Sequence, residues 1–474
     1  MTSSQKYRYS LRTQPDVNTR QKRIWDLLRH IPSFMFRFLR LLSFVVSLLP
    51  AFAVFLYHYF SCDRIAVYYG VKDALEENGE RKWFSRHYLD MYGSRGHVND
   101  NEVTTKKKPV VIFLTGGAWI IGYRMWGCLL ARALVPFGIL VIIPDYHNFP
   151  KVNIKGMVDD VDMSIQWVLD HVEEYGGDRN RVVLVGQSAG AHIGGVVVAK
   201  KVLDWIQQQK SYKGSGEDCR HHLKSTYSPQ QLCGFITTSS PHNLVTMRSV
   251  FHRHGLSASV QRSIFGGVSG SNDNDLIDDI AKSVAASDDL DVFEIWSPYH
   301  LVKKCQTEYT SLISDGNANR SNNNERIDQL KDIFPKLCVI HGTADKTVPV
   351  EEAIEFLSLL SNLQIPALSK LYPGWSHTDP ILEKPMLGNH LYHRDVYELV
   401  RRWTVRRSTK SDDGIGDMVR YSEHKSDAET IGTDDSSKAA ESDFNLTPFD
   451  ETHSILRPIC PTTLVEIARV CNPF

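Results

Sequence analysis

An apolar run, Arg181-Val182-Val183-Leu184-Val185, leads straight into Gly186-Gln187-Ser188-Ala189-Gly190, and Ala191-His192-Ile193-Gly194-Gly195-Val196-Val197-Val198-Ala199 follows. This reads as a buried strand, a Gly-x-Ser-x-Gly turn and a helix rich in small residues. The glycines permit a tight turn that no bulky residue would tolerate. The turn lifts the Ser188 hydroxyl to the end of the sheet, at a helix N-terminus. Ser188 is therefore the candidate nucleophile.

A serine needs a base, and the base needs a group to orient it. In strand–turn–helix sites of this kind the acid and then the histidine follow the serine along the chain. Pro335 to Ile340 reads as a buried strand, and His341-Gly342-Thr343-Ala344-Asp345 comes next. An amphipathic helix is expected over Val350 to Leu363 and a strand over Leu368 to Tyr372. Pro373-Gly374-Trp375-Ser376-His377-Thr378-Asp379 closes that strand. Asp345 and His377 thus fall just past strand ends, at the edge of a parallel sheet where such sites form. Asp379 is a second candidate acid, ranked behind Asp345 because it is so close to His377 in sequence.

The third part of such a site holds the negative charge of a tetrahedral intermediate. The strand Lys108 to Leu114 is followed by Thr115-Gly116-Gly117-Ala118-Trp119. Backbone N–H groups in a Gly-Gly turn can approach a reacting carbonyl because no Cβ intervenes. Gly116, Gly117 and Ala118 are the candidate donors, together with the N–H of Ala189 beside the nucleophile. Trp119, Met125 and Trp126 are candidates to line the substrate pocket. Asp145, at a strand end, is expected to shape the oxyanion loop and not to react.

Thr115-Gly116-Gly117-Ala118-Trp119-Ile120-Ile121-Gly122-Tyr123 resembles the oxyanion segment of the isoprenylcysteine methylesterases known from plants. Asp145-Tyr146-His147-Asn148-Phe149-Pro150 is similar to that family's Asp-Tyr-Arg-Asn-Phe-Pro, with His147 where the family has arginine. Tyr175-Gly176-Gly177-Asp178, Gly186 to His192, His341 to Asp345, His377-Thr378-Asp379 and Pro385-Met386 extend the likeness from about residue 65 to 405. Tyr88 to Tyr92 resembles the family's first strand. The resemblance implies an α/β-hydrolase fold and hydrolysis of the methyl ester on a prenylated C-terminal cysteine, free or on prenylated proteins. Carboxylesterase and lipase relatives usually carry histidine before the Gly-Gly pair; Thr115 stands there in this chain. Two insertions, near 206–230 and 306–328, and an added tail depart from the pattern.

The wider composition agrees. With 474 residues, 42% of them apolar, the chain can bury one large core. A formal net charge of −1 gives no reason to expect a nucleic-acid partner. The eight cysteines are scattered without metal-ligand spacing, so neither a metal nor a cofactor is expected. Cys128 and Cys338, in apolar runs, read as buried thiols.

Leu41 to Phe60 holds 20 residues without Lys, Arg, Asp or Glu. As a helix it would span about 30 Å of hydrocarbon, so a membrane anchor and lipid contact are expected. It begins too far along the chain for a signal peptide. The basic residues Arg20, Lys22, Arg23, Arg29, Arg37 and Arg40 place the N-terminus in the cytosol. A hairpin at Pro50 would return the catalytic part to that side, where the resemblance implies its substrates lie. The endoplasmic reticulum or Golgi membrane is the expected location. Glycosylation sequons at Asn319 and Asn445 would report a luminal alternative.

The expected organisation is a basic disordered arm (1–33), a membrane anchor (34–60), a cap with the first strands (61–105), an α/β-hydrolase core (106–405) and a mostly disordered tail (406–474). The core is expected to hold a mostly parallel sheet with helices on both faces, on strands near 110–114, 139–143, 182–185, 234–238, 337–340 and 367–372. The tail over 406–457 is rich in Ser, Asp, Glu and Lys. Cys471-Asn472-Pro473-Phe474 has the position of a prenylation box but lacks its aliphatic pair. Two rivals to the methylesterase reading are a general carboxylesterase or lipase and a non-catalytic binding module on the same fold.

Overall fold

Eight strands form one sheet in the order β1-β2-β4-β3-β5-β6-β7-β8. They are β1 (Arg64–Tyr68), β2 (Tyr88–Tyr92), β3 (Lys108–Leu114), β4 (Leu140–Pro144), β5 (Gly177–Gln187), β6 (Leu232–Thr238), β7 (Lys336–Gly342) and β8 (Ala367–Tyr372). β2 runs antiparallel to β1 and β4, and every other pair is parallel. This is the α/β-hydrolase arrangement that the strand–helix alternation predicts. The structure, a computed structural model, describes residues 52–70, 86–94, 107–215, 227–266, 292–314, 329–405 and 446–471.

The parallel strands read as continuous apolar runs because helices cover both of their faces. Val110, Val111, Ile112, Phe113 and Leu114 of β3 are all fully buried. Each such side chain contributes about 1.5–3 kcal/mol relative to exposure. The helices used below are α1 (Cys128–Leu134), α2 (Ile154–His171), α3 (Ala189–Ser215), α4 (Leu244–Arg253), α5 (Ala258–Phe265), α6 (Pro298–Ser314), α7 (Val350–Asn362) and α8 (Leu391–Thr404). α2, α3 and α7 share one core with Val110, Ile112, Leu114, Val182, Leu184 and Val339. α2 does so through Met157, Val161, Ile165 and Val168, at the helical spacing visible in the sequence. On the other face Trp403 of α8 lies over Gly234, where a Cβ would collide with the indole. Cys128 and Cys338 are buried free thiols.

Strand order reverses between β3 and β5, which pair with each other while β4 continues one way and β6 the other. A crevice at the carboxyl ends of the strands is the usual ligand site of such a sheet. Thr115 and Ser188 emerge there.

The chain divides into two units. His58–Ile459 carries the whole sheet; Met1–Tyr57 with Cys460–Phe474 forms the other, whose described parts are helical over 52–57 and over Thr462–Cys471. Among the described residues no helix is long and apolar enough to cross a membrane. The expected anchor over 34–60 is described only from residue 52, while the arm 1–33, Asn319 and Asn445 lie outside the described residues.

The C-terminal tail differs from expectation. Residues 446–459 pack on the catalytic unit: the Phe449 ring lies 4.6 Å from Phe137, and Tyr397 donates from its hydroxyl to the Thr447 carbonyl at 2.5 Å. Leu456 is buried and its carbonyl accepts from His390 Nε2 at 2.9 Å. The sparse apolar residues of this stretch, Phe449 and Leu456, are the ones used. An average over residues 406–457, most of them polar, hides them.

Candidate active site

Ser188 occupies the turn between β5 and α3 with φ of 52°, a left-handed conformation that side chains rarely adopt. Its neighbours make that possible. A Cβ on Gly186 would lie 2.5 Å from Ala191 Cα, and one on Gly190 would strike the Leu114 carbonyl. The Ser188 N–H donates to the Thr238 carbonyl at 2.9 Å, which ties the turn to the end of β6.

His377 and Asp345 come from the loops after β8 and β7. Those loops are joined by backbone bonds from Thr343 N–H to the Tyr372 carbonyl and from Ala344 N–H to the Trp375 carbonyl, each 3.0 Å. His377 Nδ1 lies 2.8 Å from Asp345 Oδ2, and His377 Nε2 lies 2.8 Å from Ser188 Oγ. Asp345 Oδ1 accepts from the N–H groups of Thr347 and Val348, both at 2.9 Å. Burial alone would raise the Asp345 carboxyl, yet His377, the Val348 N–H and His341 hold it below its ordinary value. An ionised carboxylate only accepts, so His377 Nδ1 donates to it. The Nε2 lone pair is left facing the Ser188 hydroxyl. Asp379 is buried but turned elsewhere: its Oδ2 accepts from Ser376 N–H at 2.7 Å. Of the two candidate acids, only Asp345 meets the imidazole.

The oxyanion loop sits opposite. Gly116 lies against the nucleophile; a Cβ there would be 2.9 Å from Ser188 Cβ. Gly117 has φ of 139°, and a Cβ on it would meet Gly122 Cα at 2.5 Å. Ala118 and Trp119 continue the bend with φ of 49° and 63°. Ile120 and Ile121 both donate to the Gly117 carbonyl at 2.9 Å. Among the described residues no acceptor takes the N–H of Gly117, Ala118 or Ala189. These donors remain available to a developing negative charge.

Several known proteins resemble this chain in sequence. The BD-FAE family matches residues 98–332, and the prolyl oligopeptidase family matches residues 293–410. A protein of Oryza sativa subsp. japonica named as a probable isoprenylcysteine alpha-carbonyl methylesterase is 32% identical over 74% of this chain and 66% of its own length. A similarly named protein of Arabidopsis thaliana is 31% identical over 74% of this chain and 59% of its own length. The chain belongs to the isoprenylcysteine methylesterase family of carboxylic-ester hydrolases. It spans about two thirds or less of the length of those two relatives, at 66% and 59%. A solved structure of esterase B from Lactobacillus rhamnosis is 15% identical over 77% of this chain and 96% of its own, with a TM-score of 0.48, too loose a likeness to bear on the site.

In this methylesterase-family chain Asp145 lies outside the Asp345–His377–Ser188 line and beneath the Gly116–Gly122 loop. Arg86 grips it through Nε at 3.1 Å and Nη2 at 2.5 Å, and Arg124 Nη1 reaches it at 3.2 Å. Arg86 Nη2 also donates to the Gly122 carbonyl, which fixes the far end of the loop. Asn148 Nδ2 donates to the Ile120 and Gly122 carbonyls at 3.0 and 2.9 Å, and the Tyr146 hydroxyl donates to the Thr115 carbonyl at 2.7 Å. The Asp-Tyr-His-Asn stretch is thus a scaffold for the loop. The parts played by Arg86, Arg124 and Gln187 were not visible in sequence. Gln187 Nε2 donates to the His377 carbonyl at 3.4 Å from the residue before the nucleophile.

Trp119 is only 2% exposed; its indole stands edge-on to His192, Phe251 and Phe265. Met125 and Trp126 are half-buried in the short turn Arg124–Gly127.

Among the described residues, His87, His147 and Asp160 bring ligand atoms within 4.8 Å of one another, close enough for one metal ion. Burial alone would raise the Asp160 carboxyl, but the two imidazoles and the His147 N–H bring it down to about 2. His87 Nε2 and His147 Nδ1 each contact this carboxylate at 2.7 Å, and His147 Nε2 accepts from Arg86 N–H at 3.3 Å. His147 therefore carries its proton on Nδ1, aimed at Asp160, and turns no lone pair inward. The cluster is a hydrogen-bonded clamp.

Proposed function

We propose that this chain hydrolyses the methyl ester of a prenylated C-terminal cysteine through an acyl-enzyme on Ser188. The observation that carries the reading is the unbroken line Asp345–His377–Ser188, with both contacts at 2.8 Å. Ser188 Oγ attacks the ester carbonyl carbon as its proton passes to His377 Nε2. The carbonyl π electrons move to oxygen, and the resulting oxyanion takes the N–H groups of Gly116, Gly117, Ala118 and Ala189. Collapse breaks the C–O bond to methoxide, which leaves as methanol with the proton from His377. Water then loses a proton to His377 and attacks the acyl carbon; collapse breaks the C–Oγ bond, His377 returns the proton to Ser188 Oγ, and the cysteine carboxylate leaves. No cofactor takes part in these steps.

The substrate class rests on the relatives' names and on the apolar surface beside the loop. Ile120 and Ile121 are 36% and 70% exposed there, a suitable rest for a prenyl chain, whereas Trp119 is buried and does not line that surface. The apolar run from Leu41 to Phe60 supports a membrane anchor in the endoplasmic reticulum or Golgi, with the catalytic unit on the cytosolic side. The test is turnover of farnesylcysteine methyl ester against a short acyl ester, with Ser188→Ala as control. A preference for the short ester makes the protein a general carboxylesterase. Activity retained in Ser188→Ala overturns the mechanism.

A further inference from the structure

Two adjacent non-glycine residues, Ala118 and Trp119, hold left-handed backbone in the loop that presents the oxyanion donors. Such conformations persist only where the surroundings over-determine them. The backbone of Trp119 is engaged once, through its carbonyl, which accepts from Phe149 N–H at 2.9 Å. Its side chain supplies the rest. The indole Nε1 donates to His192 Nδ1 at 3.3 Å, and His192 Nε2 contacts the Trp296 carbonyl at 2.7 Å. A carbonyl only accepts, so His192 carries its proton on Nε2 and offers the Nδ1 lone pair to the indole. Both nitrogens of a fully buried ring are used, and one tautomer alone satisfies both partners. His192 sits one turn into α3, and its own N–H donates to the Ser188 carbonyl at 2.9 Å.

We infer that His192 is a positioning residue for the oxyanion hole, holding Trp119 and thereby the strained Ala118–Trp119 bend in register with the nucleophile on the same helix. One end of the ring is fixed by the Trp296 carbonyl and its backbone by the nucleophile's turn. The indole is thus referenced to Ser188 within a few bonds. The Ala118 N–H precedes the Trp119 anchor by a single residue, so a rotation of the indole turns that donor away from the tetrahedral oxygen. Loss of the anchor should act on the transition state and leave ester binding alone.

This inference rests on the ester-hydrolysis reading above. The test uses the full chain, with kcat expressed per site titrated by an alkyl phosphonate. His192→Leu removes both bonds, His192→Gln keeps one donor and one acceptor, and Trp119→Phe removes only the indole donor. His192→Leu should lower kcat by about 10- to 100-fold with KM within about twofold, and phosphonylation should slow in parallel, since it develops the same charge. His192→Gln should recover most of the loss, which a packing defect would not allow. In a Trp119→Phe background the further loss from His192→Leu should be under about threefold, because the shared link is already cut. Should His192→Leu fail to fold, Trp119→Phe with and without His192→Gln gives the same comparison. Unchanged kcat per site in His192→Leu, or fully multiplying losses in the double variant, would overturn the inference. Turnover surviving in Ser188→Ala would instead overturn the esterase reading.

Discussion

The buried histidine beneath the oxyanion loop makes the stability of this protein sensitive to mild acid. His192 is neutral in the fold because Nδ1 must accept and Nε2 must donate. Protonation would set an N–H against the indole N–H. Burial, opposed only by the bond to Trp296, lowers its pKa from 6.5 to about 4. The unfolded chain therefore binds a proton that the folded chain refuses between those values. Stability is complete above the unfolded pKa and declines as pH falls from 6.5 toward about 4. The full difference corresponds to about 3 kcal/mol, of which about 2 kcal/mol is lost between about pH 7 and about pH 5. His393, also held neutral by burial, acts in the same direction in both proteins and cancels from a difference, while His242 is lowered first by burial and then by His341, with His192 only its last cause. The measurement is urea unfolding of wild type and His192→Gln at both pH values. The variant should lose about 2 kcal/mol less than wild type over that interval. Parallel losses in the two proteins would show that His192 is not held neutral, and the tautomer argument would fall with it.

Other outcomes follow from the same geometry. Asp345→Asn should cut turnover by roughly 10⁴-fold, while Asp379→Asn should cost less than about tenfold because an amide oxygen still accepts from Ser376; steady-state kinetics of the pair decides, and the reverse ranking would refute the choice of acid. Gly190→Ala drives a Cβ into the Leu114 carbonyl and should destabilise the fold by about 1–3 kcal/mol, read as a lowered denaturation midpoint. Deleting residues 1–60 should release the protein from membranes that retain the full chain at alkaline pH, and sugar found on Asn319 would place the catalytic unit in the lumen.

The sequence made the parallel strands plain because both faces of each are covered, so β3 through β7 appear as unbroken apolar runs. β1 was not located: Arg64–Tyr68 lies at a sheet edge, only partly buried, and its Arg64 pairs with Asp90 of β2 at 3.4 Å. Ser188, Asp345 and His377 were legible through chain order and strand ends. Asp345 also ranked ahead of Asp379 by its distance from His377 in sequence, but the backbone bonds from Thr343 and Ala344 to the Tyr372 and Trp375 carbonyls that bring the two loops together were not legible. The left-handed bend at Ala118 and Trp119 left no mark either, since neither is the glycine that such a conformation favours. His192 was quoted in the nucleophile's motif, but its use depends on Trp119 and Trp296, far away in sequence.

The two ends of the sheet are used differently by this chain. β3, β5, β7 and β8 deliver their site residues at one edge. β6 and β7 enter the sheet at the opposite edge, shortly after the turns Pro229–Gln231 and Leu330–Asp332. The flanking segments meet at the far edge, where Gln230 donates to the Asp332 carbonyl at 3.2 Å and Cys233 Sγ reaches the Asn180 carbonyl at 3.3 Å. A reporter group attached at exposed Gln230 or Lys331 would therefore sit a strand's length away from the catalytic edge.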